Sequence, residues 1–246
     1  MLKLKYTIII PCYNSEKWIA KSIESAINQT YDNYEIIVVD NESTDDSLSI
    51  IQRYSDRIII DTAENIYKHS YQEPVEKALT IATGDYFTIL GSDDQIESAY
   101  IQKINSIVST NPQKINFLQS PIVGIQAGTN KIVGEIKHVY KNLDEFKRLL
   151  LQKSPVCTPS MVFKKRLYDE GVIQWDSEKY LGASDYDLYF RLADKGYFIY
   201  PYPKWLGYYY RWHETQATWG MHKENAVNNF DKKIQKYWID KWNEKI

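Results

Sequence analysis

The stretch Tyr6–Asp40, YTIIIPCYNSEKWIAKSIESAINQTYDNYEIIVVD, decides the fold. YTIIIPCY is apolar, continuous and β-branched, the pattern of a strand buried on both faces. SEKWIAKSIESAINQT then places Trp18, Ile19, Ile23, Ala26 and Ile27 on one helical face, with Ser15 positioned as N-cap. YEIIVVD is a second buried strand. Further on, STDDSLSIIQRY reads as a short helix and RIIIDT as a third strand. EPVEKALTIAT reads as a helix with Pro74 in its first turn, where proline costs least. Gly84 closes that helix, and DYFTIL is a fourth strand. Strands alternating with helices predict an α/β fold whose mostly parallel sheet is covered on both faces.

Ligands of such sheets gather at the carboxyl ends of the strands. The polar clusters fall there: PCYN after the first strand, DNESTDD after the second and GSDD after the fourth. Three loops of one sheet can converge on one crevice. In the second half, Lys114 to Val139 reads as strands or a hairpin, NLDEFKRLLLQ as a helix, SMVFKKRLYDEG as a strand entering a short helix, and ASDYDLYFRLADKG as a helix. No internal repeat, low-complexity segment or linker is present, so a single domain is expected.

Composition excludes several functions. Thirty Lys and Arg face 32 Asp and Glu, which gives no electrostatic footprint for nucleic acid. Cys12 and Cys157 form no CxxC or Cys/His spacing, so no structural zinc site is expected. The apolar part of the N-terminus, broken early by Pro11, is too short for a signal peptide. No apolar run approaches the roughly 20 residues that span a bilayer. A cytoplasmic protein is expected. No GxGxxG or GxxxxGK[ST] loop is available to cradle phosphates.

Three acidic positions carry the chemistry. Asp93 and Asp94 follow the fourth strand. They could cap a helix or solvate a turn, or hold Mn2+ or Mg2+, which binds through one or two carboxylates together with substrate phosphates. Asp40 ends the second strand. It is either a turn former or an acceptor for a base imide N–H or ribose hydroxyl, with Tyr13 nearby to stack on the base. Asp185 falls in a helical first turn, where the dipole favours an acid and where a general base in a cleft would also sit. Asp187 faces elsewhere.

TIIIPCYNSEKWIAKSIESAINQTYDNYEIIVVDNESTDDS, ATGDYFTILGSDD and SDYDLYFRL, in that order, resemble the family 2 glycosyltransferases over roughly Thr7 to Leu192. The resemblance implies a GT-A-type, Rossmann-like sheet with a smaller acceptor-side region and a C-terminal helical tail. It implies one transferase domain over residues 1–246: a donor half at 1–97, an acceptor-side half at 98–222 and a tail at 223–246. It also implies transfer of a sugar with inversion from a UDP-sugar donor to a saccharide or lipid-linked acceptor. Pro11, Tyr13 and Asp40 would line the uridine site, Asp93 would lie near ribose and diphosphate, and Asp94 would ligate the metal. Asp185 would be the base, and His213 of YYRWHE would face the metal or diphosphate or be an ordinary hydrogen-bonded histidine.

Three positions depart from the family pattern: Gly91 and Ser184 where acids are common, and Glu76 where an asparagine is common. Ser184 supports a second reading, a non-catalytic nucleotide-sugar-binding module. In the tail, Trp238 and Trp242 lie four residues apart on one helical face. They would either dock on the body or give shallow membrane contact.

Overall fold

The computed structural model describes residues 2–67, 69–214, 216 and 226–243, the side chains of 226–228 excepted. The expected alternation is present: β1 (Tyr6–Cys12), α1 (Ile19–Ile27), β2 (Tyr34–Asp40), α2 (Ser47–Gln52), β3 (Ile59–Thr62), α3 (Gln72–Ile81) and β4 (Tyr86–Ile89). β1 pairs in parallel with both β2 and β4, and β2 with β3. The order β4-β1-β2-β3 makes the chain change direction between β1 and β4. That switch point opens a crevice at the strands' carboxyl ends.

The second half completes the same sheet. After β5 (Gln95–Ile96) and α4 (Tyr100–Val108), β6 (Phe117–Gln119) leads to a hairpin of β7 (Ile122–Gln126) and β8 (Ile132–Ile136). Then come α5 (Leu143–Leu150), β9 (Val162–Lys164), α6 (Lys165–Asp169), α7 (Ser177–Tyr180), α8 (Ser184–Asp194), β10 (Ile199–Pro201), β11 (Tyr208–Trp212) and α9 (Ala226–Asn243). β9 inserts antiparallel between β4 and β6, giving the seven-stranded order β10-β6-β9-β4-β1-β2-β3. A smaller sheet, β5-β11-β7-β8, stands beside it.

The central strands read as unbroken apolar runs because both faces are covered. Ile9, Ile37, Val39 and Phe87 join the core under α3, α5, α8 and α9. Their neighbours Ile8, Ile10, Ile36 and Val38 join the core under α1 and α4. The period-2 alternation of a strand divides one sequence run between two cores.

Two sequence expectations change. Ser15 does not cap α1 with its side chain. Its carbonyl accepts from Trp18 and Ile19, while its hydroxyl meets Ser92 Oγ at 2.7 Å and so ties the two crevice loops together. Trp18 accordingly stands at the helix entrance, half-buried, rather than in the core stripe. The tail tryptophans dock on the body. Trp238 is buried and its Nε1 donates to Asp187 Oδ1 at 2.9 Å, while Trp242 Nε1 donates to Asp194 Oδ1 at 3.0 Å. Trp238 stacks on Phe190 of α8 with ring centroids 5.7 Å apart. Docking on the body, one of the two expected readings, therefore holds for both rings. Residues 223–225 and 244–246 of the expected tail lie outside the described residues. Among the described residues no helix is long and apolar enough to cross a membrane.

Candidate active site

Beyond β4 the backbone turns tightly, with Asp94 N–H donating to Gly91 C=O at 3.0 Å. A Cβ on residue 91 would meet Asp94 Oδ2 at 2.7 Å and Asp93 Oδ1 at 2.9 Å. Glycine stands at this position because the two carboxylates fold back over it. Asp94 is buried and both its oxygens accept a hydrogen bond: Tyr208 Oη donates to Oδ2 and Arg211 N–H to Oδ1, each at 2.8 Å. Burial, and then the charge of Asp93, raise its carboxyl well above the ordinary range, against the pull of the two donors.

The paired acids also face a cation that the sequence reading missed. Arg211 is 1% exposed. Its Nε donates to the Asp93 carbonyl at 2.7 Å, Nη1 to Asn130 Oδ1 at 2.9 Å and Nη2 to Gln95 Oε1 at 2.7 Å. Its planar face lies 4.9 Å from the Trp18 ring centroid. The fork geometry of arginine binds three acceptors at once, so one side chain joins the acid loop, β5 and the β7–β8 turn. The available signal was a single arginine in the aromatic strand YYYRW, at an inward position.

Asp93 behaves differently from Asp94. Its Oδ2 lies 2.8 Å from His213 Nε2, and its side chain is 21% exposed. The His213 ring in turn lies 5.5 Å from Trp18. Among the described residues no cluster of three His, Cys, Asp or Glu side chains could hold a metal ion. One carboxylate beside one imidazole still suits Mg2+ or Mn2+, which keep waters and take their remaining ligands from substrate phosphates. Asp94, the expected metal ligand, lines the same cavity, and each of its oxygens accepts one hydrogen bond with a lone-pair direction to spare.

A cavity of about 500 Å³ runs from this loop to α8. Pro11, Asp93 and Asp94 line one end, and Asp185, Tyr186 and Asp231 the other. Asp185 occupies the first turn of α8. Thr158 Oγ1 donates to its Oδ2 at 2.9 Å and Tyr186 N–H to its Oδ1 at 2.7 Å, while Tyr189 Oη donates to Thr158 Oγ1 at 2.9 Å. Burial raises the Asp185 carboxyl against these donors. Asp187 faces away, as expected, and accepts from Arg191 Nε at 2.7 Å and from Trp238.

Asp231, from α9, is a second carboxylate at this end. Burial, and then the charge of Asp185, push it up to about 6. No sequence signal marked it, because the tail reads only as an amphipathic helix. Ser184 does not enter the cavity wall; its hydroxyl accepts from Ser177, which meets Ser70 Oγ at 2.8 Å. Glu76 accepts from Gln72 Nε2 at 3.0 Å.

Tyr13 and Asp40 stand beside the cavity rather than in its wall. Tyr13 is half exposed. Asp40 ends β2 in register with Cys12, and its Oδ2 accepts from Ser43 N–H at 3.0 Å. Its Oδ1 is buried and has no hydrogen-bond partner among the described residues. A buried acceptor left open is costly unless a ligand fills it, which suits a base N–H.

Residues 7–172 match the family described as Glycosyl transferase family 2. An uncharacterized glycosyltransferase of Haemophilus influenzae is 30% identical over 251 residues, covering 96% of this chain and 74% of the relative. An Escherichia coli protein, the UDP-Glc:alpha-D-GlcNAc-diphosphoundecaprenol beta-1,3-glucosyltransferase WfaP, is 39% identical over 114 residues, 46% of this chain and 44% of that protein. Among solved structures, S. aureus TarS 1-349 in complex with UDP-GlcNAc superposes with a TM-score of 0.68 at 19% identity, covering 87% of this chain and 61% of that one. The last likeness carries the GT-A fold of the sheet.

Proposed function

From the premise that this chain belongs to glycosyl transferase family 2, we propose that it transfers a sugar with inversion from a UDP-sugar to a hydroxyl of a saccharide or lipid-linked saccharide, in the building of a bacterial surface polysaccharide. The observation that carries this reading is the single cavity with Asp93 at one end and Asp185 at the other. The UDP-glucose and diphosphoundecaprenol named for the E. coli relative, and the UDP-GlcNAc held by TarS, support the donor and acceptor classes.

In this reading Asp93, Asp94 and His213 are the residues that would hold Mn2+ or Mg2+, which would supply charge neutralisation for the departing nucleotide. Arg211 positions the loop that carries both acids. Asp40 Oδ1 accepts from the base, while Tyr13 and Pro11 flank it. Asp185 takes the proton of the acceptor hydroxyl as that oxygen attacks the anomeric carbon from the face opposite the nucleotide. Its raised affinity for a proton strengthens it as a base, and Thr158 fixes its rotamer. A single carboxylate suffices for this displacement, whereas a retaining glycosidase needs a second as nucleophile. Ser184, which favoured a non-catalytic module, points away from the cavity, and Asp231 brings a carboxylate to that end instead.

Thermal unfolding with a panel of UDP-sugars, with and without Mn2+, tests the donor half, because a ligand of the native state raises its apparent stability. Metal-dependent stabilisation is expected. Its absence for UDP and every UDP-sugar would sink the reading.

A further inference from the structure

The outer edge of the small sheet carries apolar side chains that the fold does not use. All five residues of β8 are exposed, and β8 ends the order β5-β11-β7-β8. Ile132 is 63% exposed, Val133 53% and, just beyond the strand, Val139 56%. An edge strand of a soluble protein is ordinarily blunted by charge or proline, and clustered exposed aliphatics mark an interaction surface.

Two further observations indicate what covers this edge. The first is charge. Lys131, Lys137 and Lys141 interleave with the aliphatics, against a lone glutamate, Glu135, in a chain whose overall balance is slightly acidic. Aliphatics at the level of lysines, whose long stems can lie along an apolar surface while the ammonium reaches outward, match a surface that is apolar beneath and anionic on top. A second copy of the chain pairing along β8 would instead bring the two sets of lysines together. The second observation is continuity. Ile136 of β8 and Trp212 of β11 line the cavity that holds Asp185, and both remain over a third exposed. The exposed edge therefore adjoins the cavity of the candidate active site through Ile136.

We propose that β8 and the segment to Lys141 dock on an anionic lipid surface, laying the mouth of the cavity against the headgroups. The tail helix was the sequence-based candidate for that contact. The structure commits its two tryptophans to the body, whereas the hairpin edge keeps Ile132, Val133 and Val139 more than half exposed among lysines. The inference goes beyond the donor chemistry and stands without it.

Flotation of the full chain with vesicles tests it, using phosphatidylcholine alone and phosphatidylcholine with an equal part of phosphatidylglycerol. Binding to the mixed vesicles is expected, weakened at least tenfold in 0.5 M NaCl. The triple variant Ile132→Ser, Val133→Ser, Val139→Ser should lose binding by about tenfold or more. Lys131→Glu with Lys137→Glu should lose more than the roughly fivefold expected for each lysine neutralised near such a surface. Stabilisation by UDP with Mn2+, read on the same preparations, reports an intact fold in the variants. Vesicle binding without UDP stabilisation would sink the proposed reaction and leave this inference standing. No flotation, flotation unaffected by either variant, or a dimer that the triple variant dissolves would overturn it.

Discussion

The two ends of the cavity hold their carboxylates with different partners. At the sheet edge Asp94 receives two donors, Asp93 meets an imidazole, and Arg211 holds the loop backbone from behind. At the α8 end Asp185 receives a hydroxyl and one backbone N–H, and Asp231 adds a further negative charge. The first arrangement fixes its loop by hydrogen bonds and leaves Asp93 partly exposed to the cavity, although burial raises the Asp94 carboxyl there as well. The second places carboxyls where ionisation is disfavoured, which suits a group that must accept a proton. In the proposed reaction the first cluster is the holder and Asp185 of the second is the base.

The comparison breaks most visibly at Asp185. Asp185→Asn should lower turnover by about 10²–10⁴-fold while leaving UDP affinity in place, read by single-turnover product formation beside UDP titration calorimetry. Equal loss of nucleotide binding would show that the two ends are not separate in function. Next comes Arg211→Ala. Removing a buried side chain that serves three neutral acceptors costs about 1–3 kcal/mol, so urea unfolding should shift measurably. Arg211→Lys should recover only part, since an ammonium lacks the fork that reaches Asp93, Gln95 and Asn130 together.

A smaller contrast sharpens the roles inside the acid pair. Asp94→Asn should cost about 1–3 kcal/mol of stability by disturbing a buried, doubly bonded acceptor. Asp93→Asn should leave stability close to wild type and abolish the Mn2+-dependent part of UDP stabilisation. Urea midpoints and ligand-induced Tm shifts on the two variants separate these outcomes. The reverse pattern would give Asp94 the larger share of the ligand role.

The sheet was legible because burial on both faces writes itself as apolar continuity: Ile8 to Ile10 and Ile36 to Val39 could hardly be anything else. The strand-end loops were legible because a parallel sheet gathers its polar chemistry at one edge, which brought Pro11, Asp93 and Asp94 to a shared wall. What stayed hidden is long-range. Asp93 and Asp94 are neighbours with opposite fates, and only the arrival of Tyr208 and Arg211 from over a hundred residues away distinguishes them. Asp231 lies 46 residues beyond Asp185 on a helix whose periodicity reports docking and nothing of the cavity. Ser184 was weighed as a lost functional group, yet its position in the helix entrance turns it toward Ser177. Local patterns reveal which face of an element is buried; they are silent on what each buried face meets.

The finest test concerns Asp231. Its carboxyl is pushed up to about 6 by burial and by Asp185, so the native state holds a proton there more tightly than the unfolded chain does. Stability from this group is therefore fully present below the ordinary carboxylate range and is lost as pH rises toward 6. Asp231→Asn removes the charge that is unwelcome above that pH. The variant should melt higher than wild type at pH 7.5, while at pH 4, where wild type is already protonated, the two should nearly coincide. Water screens a half-buried group, so the expected gain is about 2–4 °C, the change that 1 kcal/mol gives a chain of this size. Because Asp185 contributes to the shift, Asp185→Asn should move the pH at which wild-type-like stability declines to a lower value. If Asp231→Asn melts alike at both pH values, the acceptor end is not a region of crowded charge, and the division between the two ends of the cavity fails at its weaker side.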